Sequence, residues 1–153
     1  MSRKSESSLV NHTLLNLYYK DEKKELEKIY PGVLALLSYQ MIGVEEGLAS
    51  LKTLCERNAR VQLWNDDLAR KHLDRAHIID ETGIDDWILD DIEAERKKSH
   101  YQFIYLPVLN FSLLSSIINY EDQHPFVRVV LWALFSGVPV GILSIGVNPS
   151  HRA

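Results

Sequence analysis

Cysteine is almost absent. Cys55 is the single one in 153 residues, which excludes an intrachain disulfide and a thiolate metal cluster and fits a reducing, cytoplasmic setting. Excess positive charge is also missing: 17 Lys and Arg stand against 21 Asp and Glu, a formal net charge of −4, so the basic footprint of a nucleic-acid binder is lacking. Glycine is sparse, with seven residues. Neither a GxGxxG fingerprint nor a P-loop occurs, and the turn where one would serve reads SYQMIGVEEG, with glycines only at 43 and 47. A dinucleotide pyrophosphate has no evident backbone approach there. HExxH and EF-hand spacings are missing, and the six histidines are scattered at 12, 72, 77, 100, 124 and 151, so no metal is expected. The opening MSRKSESSLVNH lacks an apolar core of signal-peptide type, and export is not expected.

What is present is ordinary for one globular domain: 46% apolar and 25% charged residues. Val10, Leu14, Leu17 and Tyr18 fall on one helical face, and residues 1–30 read as an N-terminal helical extension before a domain over 31–153. After Pro31 and Gly32, the continuous apolar run Val33 to Ser38 has the signature of a strand buried on both faces. Helical spacing returns in Val44, Leu48, Leu51 and Leu54. Arg60 to Trp64 reads as a second strand, and Asn65, Asp66 and Asp67 are placed to cap a helix over 68–73. His77 to Asp80 reads as a weak third strand. The acidic stretch from Glu81 to Glu95, followed by Arg96, Lys97 and Lys98, has the charge order that a helix macrodipole favours, with Thr82 and Asp85 at capping-box spacing. Phe103 to Leu109 is a fourth strand that Pro107 should end. Helices follow over 112–120 and 126–136, the second opened by Pro125.

Val129 to Val147 holds 19 residues without a charge, long enough to span a bilayer. Gly137, Val138 and Pro139 break it into a buried helix and a buried strand over 140–145, each too short to cross alone. Arg128 then falls on the solvent side of that helix. Alternating strands and helices imply an α/β Rossmann-like three-layer sandwich with a five-stranded, mostly parallel sheet. In such sheets ligands bind outside the strand carboxyl ends where strand order reverses. That places the candidate site at Ser38 to Gly43, Asn65 to Asp67, Leu109 to Ser112 and Ser144 to Asn148. No catalytic constellation stands out. Cys55, beside Leu51 and Leu54, reads as a small core residue rather than a nucleophile.

The segment FIYLPVLNFSLLSSIINYEDQHPFVRVVLWALFSGVPVGILSIGVNP, residues 103–149, resembles the C-terminal half of the flavoprotein family of Rossmann-like domains. That family includes homo-oligomeric flavin-containing cysteine decarboxylases, the dipicolinate synthase B subunit and a branch associated with ethanolamine utilisation. Its members run from a strand ending in Pro, through an Asn-Thr motif, a GIAD-type turn and a helix, to a GKPV-type turn. The matching positions here are Pro107 to Ser115, Tyr120 to Gln123 and Gly137 to Val140. The resemblance implies FMN or a related aromatic phosphate, held weakly at the strand ends, and a homo-oligomer. Ser38, Asn65, Asn110 and Ser112 would hold phosphate or ring edges, and Tyr39 or Phe111 would lie against the ring. Departures are specific: Phe111-Ser112 or Ser112-Leu113 replaces the Asn-Thr pair, Tyr120 replaces the turn glycine, and Asp66 and Asp67 bring carboxylates to the second strand end. Decarboxylation is not implied, because the family's catalytic histidine would fall in the acidic region and His100 stands too close to Pro107. The alternative function is a non-enzymatic oligomeric scaffold or regulatory protein that kept the fold and lost the flavin site.

Overall fold

The computed structural model describes residues 32–144. The expected helical extension over 1–30 lies outside them, as do the end of the last expected strand and positions 145–148 of the expected site. Five strands are all parallel: β1 (Val33–Leu37), β2 (Val61–Asn65), β3 (Trp87–Ile88), β4 (Phe103–Leu106) and β5 (Val140–Ile142), in the order β3-β2-β1-β4-β5. The helices are α1 (Val44–Glu56), α2 (Asp67–His72), α3 (Arg75–Thr82), α4 (Asp91–Arg96), α5 (Phe111–Ile118) and α6 (Pro125–Ser136).

β1 takes the middle of the sheet because all five of its side chains are apolar and buried. Strand alternation then sorts them. Val33, Ala35 and Leu37 join Val61, Leu63, Leu48, Leu51 and Ile78 beneath α1, α2 and α3. Leu34 and Leu36 join Trp64, Ile104, Leu113, Phe126 and Val130 beneath α4, α5 and α6. These two cores make a three-layer sandwich. Trp64 is fully buried, its ring edge-on to Phe126 at 4.7 Å, and its indole N–H donates to Asp91 at 2.7 Å. That bond satisfies the one polar atom of a side chain whose burial is worth roughly 2–3 kcal/mol.

The helix punctuation follows the sequence. Asp66 caps α2, Asn110 caps α5, and Pro125 occupies the first turn of α6, which ends on Gly137 in the left-handed region. Among the described residues no helix is long and apolar enough to cross a membrane. Arg128 is exposed as expected, and its guanidinium binds both carboxylate oxygens of Glu95 at 2.9 and 2.8 Å, tying α6 to α4.

Two expectations are corrected. His77 to Asp80 is not a strand but the middle of α3, which closes when Thr82 Oγ1 donates back to the Ile78 carbonyl and Gly83 turns left-handed at φ +77°. The third strand is Trp87–Ile88, too short for periodicity to reveal. The acidic stretch is consequently not one helix capped by Thr82. Thr82 ends α3 and accepts a bond from the Ile84 N–H, while Asp90 caps α4 through the Ile92 N–H. The expected charge order survives within α4, with Asp91 and Glu93 in its first turn and Arg96 in its last.

Tyr120, standing where the resembling family keeps glycine, adopts φ +56°. This geometry costs a side-chain-bearing residue about 1–2 kcal/mol, and here the ring stacks on Phe135 with centroids 6.1 Å apart and planes inclined by 27°. Gly47 has the opposite relation to its surroundings. A Cβ there would stand 2.6 Å from the Pro107 carbonyl oxygen and from Val108 Cγ2. Helix α1 therefore rests directly on the end of β4. Gly47→Ala is expected to destabilise the fold by about 1–3 kcal/mol, as overpacking does, measurable as a lower urea midpoint with an unchanged slope.

Candidate functional site

The strand order reverses between β1 and β4, so the chain leaves these two neighbours toward opposite faces of the sheet, and in sheets of this class that is where a ligand crevice lies, at the strand carboxyl ends. Its floor is a hydrogen-bonded cluster. Asn110 Oδ1 accepts the Leu113 N–H at 2.8 Å, capping α5, and Asn110 Nδ2 donates to Ser38 Oγ at 3.0 Å and to the Tyr39 carbonyl at 3.3 Å. Ser38 is wholly buried and Asn110 nearly so. These two expected ligand contacts are brought together, but largely on each other. Tyr39, half-buried, stacks on His72 with ring centroids 4.6 Å apart.

Asn65 ends β2 opposite Leu37 of β1. It is only 7% exposed, yet its Oδ1 is buried without a hydrogen-bond partner. Phe111 and Ser112 lie exposed on the first turn of α5. The six residues therefore divide into a bonded pair, an aromatic stack, an unengaged carboxamide and two side chains at the rim.

Asp66 does not face outward as a free charge. Its Oδ1 accepts the Ala69 N–H at 2.9 Å and its Oδ2 meets His124 Nε2 at 3.1 Å. His124 Nδ1 accepts the Phe126 N–H at 3.0 Å, making this histidine the cap of α6. With Nδ1 an acceptor, Nε2 carries the proton and donates to Asp66. Both ring nitrogens are thus committed, and His124 has no free nitrogen to serve as a general base. Sequence reasoning singled out Asp66 but not its partner, 58 positions away. The local signal for His124 was its place just before Pro125, where a helix needs an acceptor.

Carboxylates surround the entrance. Glu45 and Glu46 sit exposed in the first turn of α1, which starts at Gly43 without a side-chain cap. Glu45 lies 3.6 Å from His77, and exposed Asp67 pairs with Arg70 at 2.7 Å. Cys55 is partly exposed, and burial together with neighbouring Glu56 pushes its thiol pKa up, the wrong direction for a thiolate nucleophile. Among the described residues no three His, Cys, Asp or Glu side chains are grouped as metal ligands. A cleft of about 300 Å³ lies beside Glu95, Lys98, Arg128 and Trp132, but none of the crevice residues lines it. Its cations are already engaged, Arg128 by Glu95 and Lys98 by the Glu95 carbonyl and the Trp132 ring.

With this geometry, comparison with solved structures gives one relationship. The fold matches a phenylacrylic acid decarboxylase. The protein is that of Aquifex aeolicus, with a TM-score of 0.52 and 20% sequence identity over 74% of this chain and 66% of the other. At that identity the likeness is one of fold, and the chain spans just under two thirds of the decarboxylase. No protein-family model and no curated protein matches. The match bears out the expected architecture, an α/β sheet with Rossmann-like order, here all-parallel.

The bridging role of Asn110 is separable from its capping role. Asn110→Ala is expected to cost about 1–3 kcal/mol, the sum of a lost cap and a lost buried hydrogen bond. Asn110→Asp keeps the cap and loses the donor to Ser38 and to the Tyr39 carbonyl, so chemical denaturation should place it between Asn110→Ala and the parent protein.

Proposed function

We propose that the crevice between β1, β2 and β4 receives a flavin, FMN or a related aromatic phosphate, weakly. The observation that carries this reading is the buried, unpartnered Asn65 Oδ1 at a strand carboxyl end, where folds of this class bind ligands. The flavoprotein resemblance and the fold match support the same ligand class. The residues fit the ring better than the phosphate. Asn65 would meet the ring edge, Tyr39 or Phe111 its face, and Ser112 with the Ser38–Asn110 pair would supply polar contacts at the rim and floor. A bound flavin supplies electron-transfer or hydride chemistry, and the chain's part is to hold and orient it. The phosphate would meet Glu45 and Glu46 at the very helix end that ordinarily attracts an anion.

Millimolar FMN is therefore expected to raise the thermal unfolding midpoint, and its absence of effect would exclude the cofactor. FMN should bind more tightly as salt screens the carboxylates, while riboflavin, lacking the phosphate, should be indifferent to salt. Combining Glu45→Gln with Glu46→Gln should tighten FMN binding roughly two- to fivefold, as expected for exposed charges, and leave riboflavin unchanged.

A second reading, an oligomeric scaffold or regulatory protein in the reducing cytoplasm, is favoured by one observation. Ile118, Tyr120, Leu134 and Phe135 are large apolar side chains left exposed on and just after α5 and along α6, with Phe135 76% exposed. We propose that this face joins copies of the chain in a homo-oligomer. Light scattering should show a concentration-dependent assembly that Leu134→Glu with Phe135→Asp converts to monomer, with circular dichroism unchanged.

A further inference from the structure

From the state of one carboxamide we infer that Asn65 selects ligands presenting a ring N–H beside a carbonyl, the edge of a cyclic imide or lactam. This rests on the flavin reading above and names the ring edge that the site would read.

Asn65 occupies a place where neither packing nor protein hydrogen bonding accounts for it. Strand alternation puts it in line with Val61 and Leu63, on the core face under α1 and α3, opposite Leu37. Every neighbour in that line is apolar. An asparagine whose only role was packing would be improved by an aliphatic side chain, because a buried acceptor without a donor keeps its full desolvation cost. The adjacent polar side chains do not relieve it. Asn110 spends its Nδ2 on Ser38 and Tyr39, and the Asp66 carboxylate is an acceptor committed to Ala69 and His124. The Asp66 N–H is likewise taken, by the Leu37 carbonyl.

The missing partner is therefore a hydrogen-bond donor, and a phosphate, which at neutral pH is chiefly an acceptor, cannot supply it well. A carboxamide sets its acceptor beside its own N–H donors, so the complementary edge has an N–H next to a C=O. Such an edge forms two hydrogen bonds to one planar group and aligns the ring with the strand end. An isoalloxazine carries it at N3, flanked by two carbonyls. Recognition through the ring edge is also consistent with an entrance whose carboxylates oppose an anionic tail.

The test uses lumiflavin, which has the ring but neither ribityl chain nor phosphate, and its N3-methyl derivative, which lacks only the N–H. Flavin fluorescence titration of the full chain should give lumiflavin an affinity at least about tenfold above that of the N3-methyl compound, the cost of one unmade hydrogen bond to a buried acceptor. In Asn65→Ala the two compounds should bind alike. That variant should also unfold at a temperature no lower than the parent, because it removes an unsatisfied acceptor. A loss of about 3 °C or more would show Asn65 to be a satisfied structural amide and overturn the inference. Equal binding of both compounds to the parent protein would overturn the role of Asn65 while leaving flavin binding intact. If neither lumiflavin nor FMN binds, the flavin reading falls and the inference with it. Should Asn65→Ala fail to fold, the comparison of the two compounds on the parent protein still decides.

Discussion

Asn110 is where this domain is tied together. One side chain caps α5, holds Ser38 and reaches the Tyr39 carbonyl, so it fixes the two neighbouring strand ends from which the chain departs in opposite directions. The parallel sheet does not itself supply this tie. Its backbone bonds hold β1 beside β4 only along Val33 to Ala35, and the ladder has ended before the crevice begins. Close contact of Gly47 with Pro107 and Val108 supplies the second constraint. A hydrogen-bonded side chain and a missing one thus fix how the ends of β1 and β4 sit against each other and against α1.

Much of this was legible in the amino-acid order. β1 and β4 announce themselves as apolar runs closed by turn formers, and Pro125 and Gly137 frame α6 as a proline and a glycine frame helices generally. The uncharged stretch near the C-terminus resolves at Pro139 for the same reason. α3 was illegible because His77 to Asp80 contains two adjacent isoleucines, a pattern that both a short strand and one turn of helix satisfy. What decides it is the back-bond of Thr82 and the left-handed Gly83, both local geometries. β3 escaped because two residues show no period.

The site was legible as positions and not as interactions. Topology placed Ser38, Asn65 and Asn110 at strand ends, but which of them bond to each other and which stays open depends on packing between segments far apart in the chain. Asp66 shows this most clearly. From sequence it is at once a cap for the next helix and a carboxylate facing the strand end; in the fold the cap is made to the Ala69 N–H and the second oxygen is taken by His124, which the sequence did not show. Electrostatic readings made from charge counts alone assign every carboxylate to solvent, and they fail where a cap or a distant partner claims one.

The sheet also limits how the molecule can assemble. Among the described residues its outer strands are β3, with two residues, and β5, with three. An edge that short offers an incoming strand few backbone groups to pair with, so sheet-to-sheet addition gains little and runaway polymerisation through the edges is suppressed.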